Sequence, residues 1–271
     1  MTTRTGALLI HGLGGTEYDL GGLKKTLGNA GIDAHAILLP GHGETPERLA
    51  TIRAEDWLGA ALARYEELAA QYDEFHIIGM CMGALVSIAL CDAVVHTKGR
   101  LVLLSPPVHI DGWKIPWYGA IRHLFYRIPG LARRMKVHEA EPFGIKNPLM
   151  RGIVRARMER GHNLHYRWVP LASVRQVDRL RRRVKRCADR IACPTVIAHA
   201  RADELTSLRS ATFLESRIAD ARTVVLENSY HMICIDNDSH LVEQTVLKFL
   251  GLPAQAPSRF SRRLLERARA A

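Results

Sequence analysis

Residues Gly79-Met80-Cys81-Met82-Gly83 follow the apolar run Phe75-His76-Ile77-Ile78 and lead into a stretch of small and aliphatic residues. A strand that turns sharply into a helix leaves no room for side chains two positions either side of the residue at its apex, so glycine flanks it. The pattern predicts a tight turn that lifts the Cys81 thiol above one edge of a sheet. A cysteine can equally be a small core residue. The two readings part on whether the chain also supplies an oxyanion hole, an acid and a base in a workable order.

Three segments supply them. Ala7-Leu8-Leu9-Ile10 runs into His11-Gly12-Leu13-Gly14-Gly15, an apolar strand entering a glycine-rich loop. The backbone N–H groups of Leu13 and Met82 are expected to stabilise an oxyanion. Gly12 and Gly14 are expected on the substrate side of that loop, and His11 is expected to brace it without moving protons. A phosphate loop is the competing reading, but the chain shows no G-x-G-x-x-G and no Gly-Lys-Ser/Thr there. Pro194-Thr195-Val196-Ile197 then opens a strand that ends by presenting Asp203, with Glu204 read as a solvated loop carboxylate. Thr223-Val224-Val225-Leu226 finally delivers Glu227-Asn228-Ser229-Tyr230-His231 to the same edge.

On these residues the chain resembles the α/β-hydrolase superfamily, in its carboxylesterase and monoacylglycerol-lipase-like branch. Pro40-Gly41-His42-Gly43 resembles the loop after that branch's second conserved strand, and Glu55-Asp56-Trp57 the helix start that follows. Ser229-Tyr230-His231-Met232-Ile233 with Asp236 resembles its histidine loop. The likeness spans roughly residues 6–108 and 170–250. It implies Cys81 as nucleophile, His231 as base and Asp203 as acid. Cysteine stands where serine is usual, and Tyr230 where a small residue is common. The Gly-x-Cys-x-Gly box also resembles that of polyhydroxyalkanoate synthases, although the likeness stops at the box. Dienelactone hydrolases pair a cysteine with this fold too, which leaves a lactone substrate open.

The expected fold is α/β, with a mostly parallel twisted sheet flanked by helices and a helical cap insertion. Residues 1–108 and 170–252 form the expected core, 109–169 the cap and 253–271 a basic tail. Strands are expected near 6–10, 33–39, 75–79, 100–104, 194–199 and 223–227. Helices fit near 19–30, 55–71, 82–96, 210–219 and 239–250. The cap opens with Trp113, Ile115, Trp117, Tyr118, Ile121, Leu124, Phe125 and Tyr126, interleaved with Arg122 and Arg127. Either this segment packs its apolar side on the core, or it is a lid that shields an acyl chain or rests on a membrane. Trp113, Trp117 and Tyr230 are candidate substrate contacts.

Charge and cysteine usage narrow the class. The first strand is expected within a few residues of Met1, so neither a signal peptide nor a membrane span is expected. Five cysteines, Cys81, Cys91, Cys187, Cys193 and Cys234, show no disulfide or zinc spacing, which points to a reducing, cytoplasmic setting. His162-Asn163-Leu164-His165 is the nearest approach to a metal site but lacks a third ligand, and no metal or cofactor is expected. The net charge of +11 is concentrated in Arg175, Arg179, Arg181, Arg182, Arg183, Lys185, Arg186 and Arg190 and in the tail after Pro257. The tail reads as a basic amphipathic helix around Phe260, Leu264 and Leu265. Such runs are usually solvated faces. Functional versions attract an acidic carrier protein, coenzyme A phosphates or anionic lipid. No nucleic-acid motif accompanies the charge.

A thiol beside an imidazole suits activated acyl donors. Exchange between two thioesters is close to thermoneutral, whereas drawing an acyl group from an ordinary oxygen ester onto sulfur runs uphill. The expected activity is acyl transfer through an acyl-cysteine, hydrolysing thioesters or activated carboxylic esters. Transfer to an alcohol, amine or carrier is the alternative, and a non-catalytic acyl-binding protein is a further one.

Overall fold

The computed structural model describes residues 3–159 and 165–254, together with Ala256 and Arg262. In chain order the elements begin with β1 (Thr5–Ile10), α1 (Leu23–Asn29), β2 (Asp33–Ile37), α2 (Pro46–Leu49), α3 (Ala54–Ala69) and β3 (Glu74–Met80). They continue with α4 (Met82–Val94), β4 (Leu101–Leu104), α5 (Arg122–Phe125), α6 (Leu131–Arg134), β5 (Lys136–His138) and α7 (Pro148–Glu159). The chain closes through β6 (Trp168–Pro170), α8 (Leu171–Cys187), β7 (Thr195–Ala200), α9 (Arg209–Arg217), β8 (Ala221–Leu226) and α10 (Ser239–Phe249).

The central sheet has the order β2-β1-β3-β4-β7-β8, every pair parallel. Parallel strands need helices across both faces, which is why their sequences read as continuous apolar runs. Alternation along β1 divides the core. Leu8 and Ile10 join Trp57 of α3, Leu85 of α4 and Leu180 of α8 on one face. Ala7 and Leu9 join Leu23 of α1 and Val246 of α10 on the other. The α3 start is fixed where Asp56 Oδ2 accepts the Arg53 N–H at 2.7 Å, and buried Trp57 donates from Nε1 to Pro40 O at 3.1 Å.

Two expectations need correction. The helix expected over 19–30 is broken: a 3₁₀ turn, Glu17–Leu20, precedes α1, and Gly21 between them sits at φ +57°, outside helical space. The segment expected as a helical cap holds and borders a small antiparallel ribbon, β5 with β6, which registers Val137 against Val169. The cations from Arg175 to Arg186 lie on α8 and Arg190 on the 3₁₀ turn Ala188–Arg190 after it, and part of this charge is met locally. Arg179 pairs with Glu55, Arg181 with Asp178, and Arg183 and Arg190 with Asp92. The tail, apart from Pro253, Ala254, Ala256 and Arg262, and His162 to Leu164 lie outside the described residues. Among the described residues no helix is long and apolar enough to cross a membrane, and no three metal-ligating side chains gather.

This topology sets the site. The chain leaves the C-terminal ends of β1, β3, β7 and β8 at one edge of the sheet, where crevices form in open parallel sheets. Leu13, Cys81, Asp203 and His231 follow those four strands.

Candidate active site

Cys81 joins β3 to α4 with φ 54° and ψ −121°, a conformation that costs a non-glycine residue roughly 1–3 kcal/mol. Its neighbours explain how the turn survives. A Cβ on Gly83 would sit 2.2 Å from Ile10 O, and one on Gly79 would sit 2.4 Å from Gly83 O. Side chains at either position collide with backbone, as the glycine spacing predicts. The Cys81 N–H donates to Leu104 O at 2.8 Å, tying the apex to β4.

The loop after β1 approaches from the other side. Its Gly12 lies so close to the apex that a Cβ there would be 3.2 Å from that of Cys81. His11 braces it: Nδ1–H meets Gly12 O at 2.8 Å, while Nε2 accepts the Leu39 N–H at 3.1 Å. Burial, against the nearby Asp19 charge, pushes its pKa below the ordinary imidazole value. Asp19 Oδ2 accepts the Gly12 N–H at 3.2 Å. The N–H groups of Leu13 and Met82 have no hydrogen-bond partner among the described residues.

His231 is held by its ring and its backbone. Nδ1 lies 2.7 Å from Asp203 Oδ2, and Asp203 is itself fixed by the N–H groups of Leu205 and Thr206 through Oδ1. Nε2 makes no well-formed hydrogen bond and neighbours the Cys81 side chain. Burial works against the imidazolium, yet the charges of Asp203 and Cys81 outweigh it and raise the His231 pKa well above 6.5. The same pairing outweighs burial for Asp203 and lowers its pKa.

These groups face one cavity of about 1140 Å³, lined by Gly12, Leu13, Cys81, Met82 and His231 together with residues of the 109–169 segment. Its walls are mostly apolar, with Ile115, Ile145, Met150, Val169, Val174 and Met232 among them. A polar corner breaks the pattern. His165 lies 3.8 Å from Asp19 Oδ1 and 3.9 Å from Glu139 Oε1, and these carboxylates override burial to push its pKa up to about 10. Four expected substrate contacts fall outside this wall. Trp117 is 94% exposed, Trp113 is 60% exposed with Nε1 donating to Ala202 O, and Tyr230 stacks edge-on against Trp113. Gly14 packs against Val169 and accepts the Tyr166 N–H.

A sequence model of the alpha/beta hydrolase family matches residues 7–245. The chain belongs to the alpha/beta hydrolase family. A carboxylesterase of Bacillus subtilis (strain 168) is 27% identical over 246 residues, covering 90% of this chain and 91% of that protein. A thermostable monoacylglycerol lipase of Bacillus sp. (strain H-257) is 24% identical, with 91% and 90% covered. Among solved structures, a monoacylglycerol lipase of Paleococcus ferrophilus superposes with a TM-score of 0.75 at 21% identity, covering 92% of this chain and 96% of that one. That likeness speaks for the shared fold.

In this alpha/beta hydrolase, further residues shape the site that sequence reasoning passed over. Glu204 is buried, not solvated: Oε2 accepts the His231 N–H at 3.2 Å, and burial raises its carboxyl pKa. An acid beside an acid after a strand carries no mark of which one turns inward. Asp236, quoted above only as part of the histidine loop, accepts the N–H groups of Tyr230, Lys146 and Asn147 at 2.7–2.8 Å, joining that loop to the cap. Tyr166 OH bridges Gly41 O and the Glu44 N–H, and so anchors the Pro40 loop.

Proposed function

We propose that this alpha/beta hydrolase cleaves carboxylic thioesters or activated carboxylic esters through an acyl-Cys81 intermediate, with His231 as base and Asp203 orienting it. One observation carries the reading: Cys81, held at the strained turn, and its neighbour His231 line one large, mostly apolar cavity while Asp203 holds the other ring nitrogen. The named relatives, a carboxylesterase and a monoacylglycerol lipase, bring carboxylic esters as the broader substrate class.

The steps balance on these groups. The thiol proton resides on His231 Nε2 in a thiolate–imidazolium pair, and Sγ attacks the acyl carbon as its oxygen moves toward the N–H groups of Leu13 and Met82. Collapse forms the C–S bond of the acyl-enzyme and breaks the bond to the leaving thiolate or alkoxide, which takes the proton from Nε2. Water then gives one proton to His231 and its hydroxyl to the acyl carbon, and Sγ leaves as thiolate, which restores the thiolate–imidazolium pair and frees the acid. Apolar walls limit water, so an alcohol, amine or carrier thiol competing for the acyl group is the second reading.

The test compares kcat/KM for matched acyl thioesters, aryl esters and alkyl esters. The intact enzyme should favour the first two over the third. Cys81→Ser should shift preference toward oxygen esters, and Cys81→Ala should fall by at least about 10³-fold. Turnover retained in Cys81→Ala would remove the mechanism.

A further inference from the structure

The 109–169 segment has an outer face that the acyl-transfer reading does not use. From Gly112 to His138 the chain carries six cations, Lys114, Arg122, Arg127, Arg133, Arg134 and Lys136, and not one Asp or Glu. Within it Trp117 and Ile121 lie on a 3₁₀ turn, Trp117–Ile121, Leu124 on α5, and Ile128 on the bend that follows. All four are exposed, Trp117 at 94%, Leu124 at 59%, and Ile121 and Ile128 at 49% each. Trp113 and Tyr118 extend the patch at 60% and 53%.

The inner side fixes this orientation. Arg122 Nε and Tyr126 OH both donate to Asp178 of α8, at 3.0 and 2.9 Å, and Ile115, Pro116, Gly119 and Arg122 line the acyl cavity. A rotation that buried the stripe would break these bonds and open the cavity. Scattered apolar residues on a surface need no explanation, but six large ones exposed between Trp113 and Ile128 do. Their chemistry selects the occupant. Tryptophan and tyrosine prefer the water–lipid boundary, exposed Arg127, Arg133, Arg134 and Lys136 follow the apolar run, and no acid falls between Gly112 and His138.

We propose that the 113–128 stripe seats the protein on the surface of an anionic phospholipid bilayer, placing one wall of its acyl cavity at the lipid boundary. Binding requires neither Cys81 nor turnover, so it stands or falls apart from the catalytic reading.

The experiment is co-sedimentation of the full chain with vesicles of phosphatidylcholine alone or with about one-third phosphatidylglycerol. The protein should pellet with the mixed vesicles, bind pure phosphatidylcholine weakly, and release as salt rises. Trp117→Ser with Leu124→Ser should weaken binding by at least about tenfold while melting temperature and turnover of a short soluble aryl ester stay unchanged. Arg127→Gln with Arg133→Gln and Arg134→Gln should remove the preference for the anionic vesicles. Cys81→Ala should bind like the parent. Failure of the parent to pellet, or equal pelleting of the Trp117/Leu124 variant, would overturn the proposal. A parent dimer that the same variant converts to monomer would assign the stripe to a second copy and overturn it too.

Discussion

Glu204 Oε2 accepts the backbone N–H of His231 at 3.2 Å, while its chain neighbour Asp203 holds the ring of that same histidine at 2.7 Å. Two consecutive carboxylates therefore fix one side chain from two directions, one setting the ring and the other the backbone that carries it. Removing the second leaves a buried N–H unpaired, which costs roughly 1–3 kcal/mol. Glu204→Ala should lower kcat by about tenfold with little change in KM, and Glu204→Gln, which keeps an acceptor, should recover most of it. Equal losses in both variants would mean that the carboxyl acts through its charge.

The elbow makes a sharper claim about stability. Gly83→Ala forces a methyl group to within 2.2 Å of Ile10 O, and backbone on both sides has nowhere to move. We expect a loss of about 3 kcal/mol or more, read from urea melts, together with loss of turnover. The control Gly152→Ala, where a Cβ meets nothing within 4 Å, should melt like the parent.

Because Asp203 and Cys81 raise the His231 pKa, the folded state holds that proton more tightly than the unfolded chain. The resulting stabilisation is full below the unfolded value of 6.5 and is lost as pH rises through the raised folded pKa. Asp203→Asn removes the largest favourable contribution, so the His231 titration followed by NMR should move to lower pH. Turnover should fall less than in His231→Ala, since Cys81 still supports the imidazolium.

Acid should destabilise the protein through other histidines. Burial pushes the pKa of His42 down to about 3 and those of His76 and His96 to about 4, so all three fold neutral. The unfolded chain takes up their protons below about 6.5, and each then costs roughly 1.4 kcal/mol per pH unit. Melting temperature should fall steadily between pH 6.5 and pH 4, a window in which these three groups titrate only in the unfolded state.

The sheet and the elbow were legible because each rests on a local rule. Continuous apolar runs mark strands covered on both faces, and glycines two residues from Cys81 mark a turn that excludes side chains. The helix expected at 19–30 failed at Gly21, where one backbone angle overrides the surrounding pattern. The β5–β6 ribbon escaped because three-residue strands such as Lys136–His138 are too short to show a period. The direction of Trp117 and of Glu204 was invisible for a different reason. Spacing says which residues share a face, but only the packing partners, Asp178 for the cap and His231 for the loop, say which way that face turns.

The central claim is a covalent one, and intact mass reads it directly. The protein is mixed with an acyl-coenzyme A thioester or an aryl ester and followed in time beside Cys81→Ala. The account predicts an added mass equal to the acyl group, mapped to Cys81, absent in the variant, and decaying as free acid appears. Steady release of acid by the Cys81→Ala variant, or an adduct on any other residue, would contradict it.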